Sequence, residues 1–351
     1  MNIAVVGAGY WGPNLARNFR SNPAWNLAAI CDLDIERARR VAESVGGAPV
    51  TGALREVLDD PLINAVAVAT PARTHHPIVM AALEAGKHVI VEKPLADSHT
   101  AGLEMVERAS ELGLVLMADH TFCYTPAVLK IRELIADDAL GEILFVDSVR
   151  INLGLIQPDV DVFWDLAPHD LSIMDFVLPG GLAVTSVSAH GSDPLGTGKS
   201  CVGYLAMPLE CGAMAHVHVN WLSPTKIRQM VIGGTKRTLV WDDLNPQQRL
   251  SVYDRGVDID TVSKVTTADT RAANISYRLG DTWSPALPEG EALAGVATEF
   301  ATAIREGRSA RTSGEAGLRV LSVLEAAARS VAAGGAPLAM GAAATNLEMA
   351  R

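Results

Sequence analysis

Cysteine is scarce. Cys31, Cys123, Cys201 and Cys211 are scattered through 351 residues without a close pair. That spacing excludes a C-x-x-C metal site and a dense disulfide framework, and it makes a reduced, cytoplasmic setting the expected compartment. Basic residues are in deficit, with 29 Lys plus Arg against 40 Asp plus Glu and a net charge of −11. A chain with no basic run lacks the cationic footprint that nucleic acid or an anionic membrane surface attracts, so neither is an expected partner. No uninterrupted apolar run reaches about 18 residues, which argues against a transmembrane helix. The first strand-like run begins at Asn2, so no signal peptide is expected ahead of it. Internal repeats and low-complexity linkers are also missing. What is present is the composition of a folded chain, 49% apolar and 20% charged. At roughly 100–200 residues per domain, its length predicts two domains.

Five short, nearly continuous apolar runs occupy residues 2–6, 27–31, 65–69, 88–91 and 114–118. Each has the character of a strand buried on both faces. Helical stretches at 35–45, 76–85 and 99–112 lie between them. This alternation predicts an α/β domain with a parallel sheet over residues 1–120. The pattern then changes. Helices are expected at 126–136 and 169–178, and a strand at 143–151. From 183 to 262, short strand candidates (183–190, 200–207, 212–221, 227–232, 237–241, 249–254) are punctuated by Gly, Pro and Asn, as in a largely antiparallel sheet. Helices are expected again at 292–306 and 314–332. The tail beyond Gly334 is rich in small residues and poorly periodic.

Gly7-Ala8-Gly9-Tyr10-Trp11-Gly12 follows the first strand and opens a helix. In that setting Gly7 permits a tight turn, Gly9 lets the backbone approach a pyrophosphate, and Gly12 lets helix and strand pack closely. Free N–H groups at the helix start face the phosphates. Asp32 ends the second strand about 20 residues further on, where a carboxylate accepts hydrogen bonds from the adenosine ribose diol and repels a 2′-phosphate. NAD is therefore expected in preference to NADP. Read blandly, Asp32 is a strand-end turn residue, and Arg37, Arg39 and Arg40 nearby leave some room for NADP.

Three further elements carry a resemblance. They are Thr70-Pro71 with His75, Glu92-Lys93-Pro94 after the fourth strand, and Trp164-Asp165-Leu166-Ala167-Pro168-His169-Asp170. Together with the glycine loop, over nearly the whole chain, they resemble the Gfo/Idh/MocA family, the relatives of glucose–fructose oxidoreductase and inositol dehydrogenase. The resemblance implies a Rossmann domain followed, over 121–351, by a substrate-binding and oligomerisation domain of α+β type. That second domain would have a large, open, mostly antiparallel sheet forming contacts in a homodimer or homotetramer. It places Gly7, Gly9, Tyr10, Trp11, Gly12, Asp32, Thr70, Pro71, His75, Glu92 and Lys93 by the cofactor. Gly9–Asn14, Asp165–Asp170 and Asn220–Lys226 with Arg228 further resemble the branch acting on nucleotide-linked sugars.

Hydride transfer from an alcohol needs a nicotinamide, a carbinol held against it and an acceptor for the hydroxyl proton. Lys93 stands where a parallel strand ends, the edge at which such sheets bind ligands. Its cation can stabilise a developing alkoxide, although a strand-end Lys commonly points only to water. His169 titrates nearest neutrality and suits proton transfer. Asp165 suits orientation. Pro168 predicts a helix starting near 166–168, which would make Asp165 a cap, and a plain cap with a surface His is the bland reading of that pair. The roles of Lys93 and His169 are interchangeable at this level. His120, Tyr124, Asn152 and Trp164 are read as bordering the sugar pocket, with Trp164 equally readable as core. Lys226 and Arg228 are read as gripping a diphosphate or as ordinary edge-strand charges. His216 and His218 share a strand face, but with no third ligand they read as interface or core rather than metal site.

The expected activity is therefore NAD-dependent interconversion of a secondary alcohol and a ketone on a sugar or nucleotide sugar, at carbon 3 of a nucleotide-linked hexose. The alternatives are a free cyclitol or aldose dehydrogenase, an NAD-dependent glycoside hydrolase of the same fold, and a non-catalytic NAD sensor, against which intact Lys93, Asp165 and His169 argue.

Overall fold

The computed structural model describes residues 1–157, 159–259 and 275–341. Two compact units are formed, and the tail beyond Gly341 lies outside the described residues. The first unit takes in Met1–Val128, Leu171–Phe176 and Glu289–Glu325. Its sheet has β1 (Asn2–Val6), β2 (Asn26–Cys31), β3 (Val50–Thr51), β4 (Ala65–Val68), β5 (His88–Glu92) and β6 (Leu116–Asp119). All are parallel, in the order β3-β2-β1-β4-β5-β6. The order reverses at β1, which lies between β2 and β4, and this opens the crevice where such sheets bind ligands. Every residue of β4 is buried, which explains its unbroken apolar run.

Helices α1 (Gly12–Ser21), α2 (Ile35–Ser44), α3 (Leu54–Asp59), α4 (His75–Glu84) and α5 (His99–Glu111) connect the strands. Local chemistry sets their starts. Asp34 caps α2 by accepting the Arg37 N–H, and Ser98 caps α5 by accepting the Ala101 N–H. The short β3 and α3 escape the periodicity reading because neither is long enough to show a repeat. The unit is completed from far along the chain by α8 (Ala292–Glu306) and most of α9 (Gly314–Ala332). Trp25 stacks on Phe300 with ring centroids 5.4 Å apart, and its indole N–H donates to the Ala297 carbonyl at 2.8 Å. Arg17 makes a paired contact with Glu291 at 2.8 and 2.5 Å.

The second unit takes in Leu129–Asp170, Val177–Pro288 and Ala326–Arg351. Helix α6 (Pro126–Ala136) leads into β7 (Ile143–Leu153) and then α7 (Val162–Val177). After α7 come β8 (Ser186–Ser192), β9 (Val202–Pro208), β10 (Met214–Asn220), β11 (Leu222–Gly234), β12 (Thr238–Asp242), β13 (Leu250–Ile259), β14 (Ile275–Trp283) and β15 (Leu338–Ala339). Nine strands order as β14-β13-β12-β11-β7-β10-β9-β8-β15. Among the described residues, only the β10–β7 pairing of this sheet is parallel. The sheet is therefore mixed and mostly antiparallel, as the punctuated strands predict. Strand β14 does not emerge from the sequence pattern, because its larger apolar residues Tyr277, Leu279 and Trp283 are exposed rather than core-facing.

One expectation is corrected. Helix α7 begins at Val162, not near 166–168. The Asp161 carboxylate accepts the Phe163 and Trp164 N–H groups, both at 3.0 Å, and so supplies the cap. Pro168 lies inside the helix rather than at its first position.

Candidate functional site

The glycine loop leaves β1 at the switch point. Gly7 has φ of +100°, and a Cβ there would stand 2.6 Å from the Ala69 carbonyl oxygen at the end of β4. Only glycine fits. A Cβ on Gly9 would meet no protein atom within 4 Å, so the loop presents bare backbone to open space. That is the cradle a pyrophosphate requires. Tyr10 and Trp11 are exposed beside it, packed edge to face. Asp32 is held in place by backbone: Ala8 N–H donates to its Oδ2 at 2.6 Å and Asp34 N–H to its Oδ1 at 2.8 Å. Each oxygen keeps a further lone pair for a ribose hydroxyl. These residues fit an NAD adenosine and its diphosphate.

The ends of β4 and β5 are tied by His75. Its ring is 1% exposed, with Nε2 2.8 Å from the Thr70 carbonyl and Nδ1 2.9 Å from the Pro94 carbonyl. Burial pushes the imidazole below its ordinary pKa, while the carbonyls oppose that shift. His75 is thus an internal brace between the Thr70-Pro71 loop and the Lys93-Pro94 turn, not a side chain presented to a ligand. Thr70 is also held by the Thr74 hydroxyl at 2.8 Å. The Lys93–Pro94 peptide is cis.

Beneath Lys93 lies a buried polar cluster. Glu92 and Asp119 are register partners on β5 and β6, 7% and 1% exposed. Burial, then the neighbouring Asp119 charge, raises Glu92 well above the carboxylate range, against the opposing influence of Lys93. Burial pushes Asp119 up to about 6, although the Thr121 hydroxyl donates to it at 2.8 Å. His120 is 1% exposed, and burial pushes its ring down to about 4. The Tyr124 hydroxyl bonds Thr312 Oγ1 at 3.0 Å. The expectation that His120 and Tyr124 border a sugar pocket is corrected, since both rings are enclosed within the first unit. Glu92 is likewise an interior group.

In the second unit, Asp165 and His169 lie four residues apart within α7, so they share a helix face. The Trp221 indole N–H donates to Asp165 Oδ2 at 3.0 Å, which fixes the carboxylate. Next to His169, Asp170 makes a buried two-point contact with Arg150 of β7, at 2.7 and 3.0 Å. That contact pins α7 to the sheet. Trp164 is half-buried on α7, and Asn152 half-buried near the end of β7. Lys226 is exposed on an irregular stretch of β11, where the four residues 223–226 lie opposite the single residue Asn152 of β7. Arg228 is paired with Asp243, which competes with a diphosphate for its guanidinium. Tyr204 stacks on His218 at 4.4 Å and lies 6.3 Å from His216. Sequence reading assigns no role to Trp221, Arg150 or Asp119. An arginine inside an apolar strand and an aspartate ending one are the signals that mark the last two.

Residues 1–120 match GFO_IDH_MocA, described as "Oxidoreductase family, NAD-binding Rossmann fold", and residues 128–240 match the GFO/IDH/MocA C-terminal domain. The chain is 32% identical over 213 residues to D-glucoside 3-dehydrogenase of Escherichia coli (strain K12), covering 57% of this chain and 60% of that one. It thus spans less than two thirds of that relative's length. With levoglucosan dehydrogenase of Pseudarthrobacter phenanthrenivorans it shares 25% identity over 396 residues, covering 95% and 96% of the two chains. Among solved structures it is similar to GenD2 from gentamicin A biosynthesis in complex with NAD, at 26% identity, 97% coverage of both chains and a TM-score of 0.79. The paired family matches take in more than half of the sequence and agree with the fold and the glycine cradle: this chain belongs to the GFO/IDH/MocA oxidoreductase family and carries its NAD-binding Rossmann domain.

Proposed function

We propose that this chain is an NAD-dependent dehydrogenase that interconverts a secondary alcohol and a ketone on a sugar-like substrate, with carbon 3 of a hexose as the reacting position. The observation that carries it is Asp165 and His169 one turn apart on α7, with Asp165 fixed by the Trp221 indole. The relative named D-glucoside 3-dehydrogenase supports carbon 3. Bound NAD supplies the acceptor for the carbinol hydrogen and its electron pair. Lys93 donates a hydrogen bond to the reacting oxygen and stabilises its growing negative charge. His169 takes the hydroxyl proton on a ring nitrogen, and returns it when the ketone is reduced. Asp165 orients the sugar or the imidazole. The other half-buried candidates, Trp164 and Asn152, border the sugar.

A nucleotide-linked hexose is the second reading, and the exposed cation of Lys226 favours it. The engagement of Arg228 by Asp243 weakens it. Free cyclitols and aldoses are the remaining dehydrogenase substrates. Absorbance of NADH with a simple hexoside, a UDP-hexose, a cyclitol and a free aldose separates these, and product sugar without net NADH marks hydrolysis instead. By calorimetry, NAD binds at least about tenfold tighter than NADP, because Asp32 is placed to meet the ribose diol. Equal dissociation constants by calorimetry remove that role from Asp32.

The chain also assembles, in this proposal, as a cytoplasmic homodimer or homotetramer through the nine-stranded sheet. Support comes from the exposed side chains of Tyr204, Met214 and Ile227 on that sheet and from four cysteines without disulfides. Light scattering at micromolar concentration gives a multiple of the chain mass; a monomer refutes the assembly.

A further inference from the structure

The buried carboxyl pair behind Lys93 is used by nothing above. Glu92 and Asp119 sit level on neighbouring parallel strands, which run about 4.8 Å apart. Glu92 Oε1 and Asp119 Oδ2 are both buried without a hydrogen-bond partner, and so are both ring nitrogens of His120. Polar groups near them are committed to partners of their own. Thr121 donates to Asp119, and Tyr124 bonds Thr312. Asp175 of α7, which faces His120, is paired with Arg319 of α9 at 2.6 and 2.9 Å. Glu299 of α8, near Tyr124, is paired with Arg308 and Arg311. The cation that favours the ionised form of Glu92 is Lys93. Two adjacent buried carboxylates cannot both ionise, because like charges repel strongly where water is excluded. Full protonation would remove the negative charge that this pair presents to Lys93. One proton and one negative charge is the state that satisfies both demands.

We propose that Glu92 and Asp119 share a single proton and act together as a positioning pair for Lys93, the one charge they retain holding the ammonium at the end of β5. The neutral ring of His120 lines the same space without competing for that charge. The inference rests on the role given to Lys93 under the proposed function, and it adds residues that would touch neither substrate nor cofactor.

The test uses the full-length protein with NAD and the isosteric variants Glu92→Gln and Asp119→Asn. Wild type at neutral pH shows a buried carboxylic-acid stretch in isotope-edited infrared spectra, and each variant loses or displaces it. Each variant lowers kcat by about tenfold or more, as displaced reacting groups do, while KM for NAD stays within about twofold. The double variant is more impaired than either single one, because a single change leaves one ionisable carboxyl to face Lys93 and only the double change removes the charge altogether. At fixed pH, Lys93 is labelled by an amine-selective reagent about threefold faster or more in the double variant, since removing both carboxyls releases the amine from the place where their charge holds it. Absence of the acid stretch in wild type, unchanged kcat in both single variants, or unchanged labelling in the double variant overturns the proposal. Lys93→Met separates the two levels. Full activity in that variant refutes the function given to Lys93, whereas the infrared and labelling readouts judge the carboxyl pair whichever way that result falls.

Discussion

Replacing His169 with alanine lowers kcat by about 100-fold or more while NAD affinity is unchanged, the usual scale for loss of a general acid or base. The expectation follows from helix α7. Asp161 starts that helix a full turn before Asp165, so Asp165 and His169 project from the same face instead of one serving as a cap. Trp221 then holds the carboxylate while Asp170 anchors the helix behind His169. In the proposed mechanism, removing the ring deletes the proton acceptor, while the backbone of α7 stays anchored by Asp170 and the glycine loop of the first unit keeps its own contacts. Steady-state NADH formation with the true substrate checks it. Turnover near that of wild type takes His169 out of the mechanism.

The neighbouring position behaves differently. Asp170→Ala destabilises the second unit by about 3–5 kcal/mol, the range for breaking a buried ion pair by removing one partner. Both side chains of the Arg150–Asp170 pair are almost wholly enclosed, and the guanidinium is held at two points. Without the carboxylate, a cation stays in a low-dielectric interior. Urea unfolding followed by tryptophan fluorescence reads the loss, because Trp221 and Trp241 are buried in that unit. A midpoint unchanged from wild type shows that Arg150 has found other compensation. Two adjacent residues thus divide their effects, one on rate and one on stability.

Much of this was legible in the residues themselves. The parallel sheet announced itself because strands buried on both faces are continuously apolar, and the glycine loop because only glycine tolerates its backbone and close contacts. What stayed hidden depended on partners distant in the chain. Tyr124 reads as a pocket residue until Thr312 is seen to take its hydroxyl. Arg228 reads as a phosphate ligand until Asp243 is seen beside it. The start of α7 misleads because proline commonly marks a first helical position, whereas here an aspartate seven residues earlier caps the helix and the ring is tolerated inside it. No local pattern encodes such pairings.

The first unit is closed by a late return of the chain, with Glu291 gripping Arg17 and Phe300 stacked on Trp25. The nucleotide fold is consequently no detachable cassette. A fragment stopping at residue 120 keeps all six parallel strands yet bares the indole and its surroundings to water. Recombination between relatives must therefore transplant the distal helices together with the glycine loop, which constrains how new specificities can be grafted onto this scaffold.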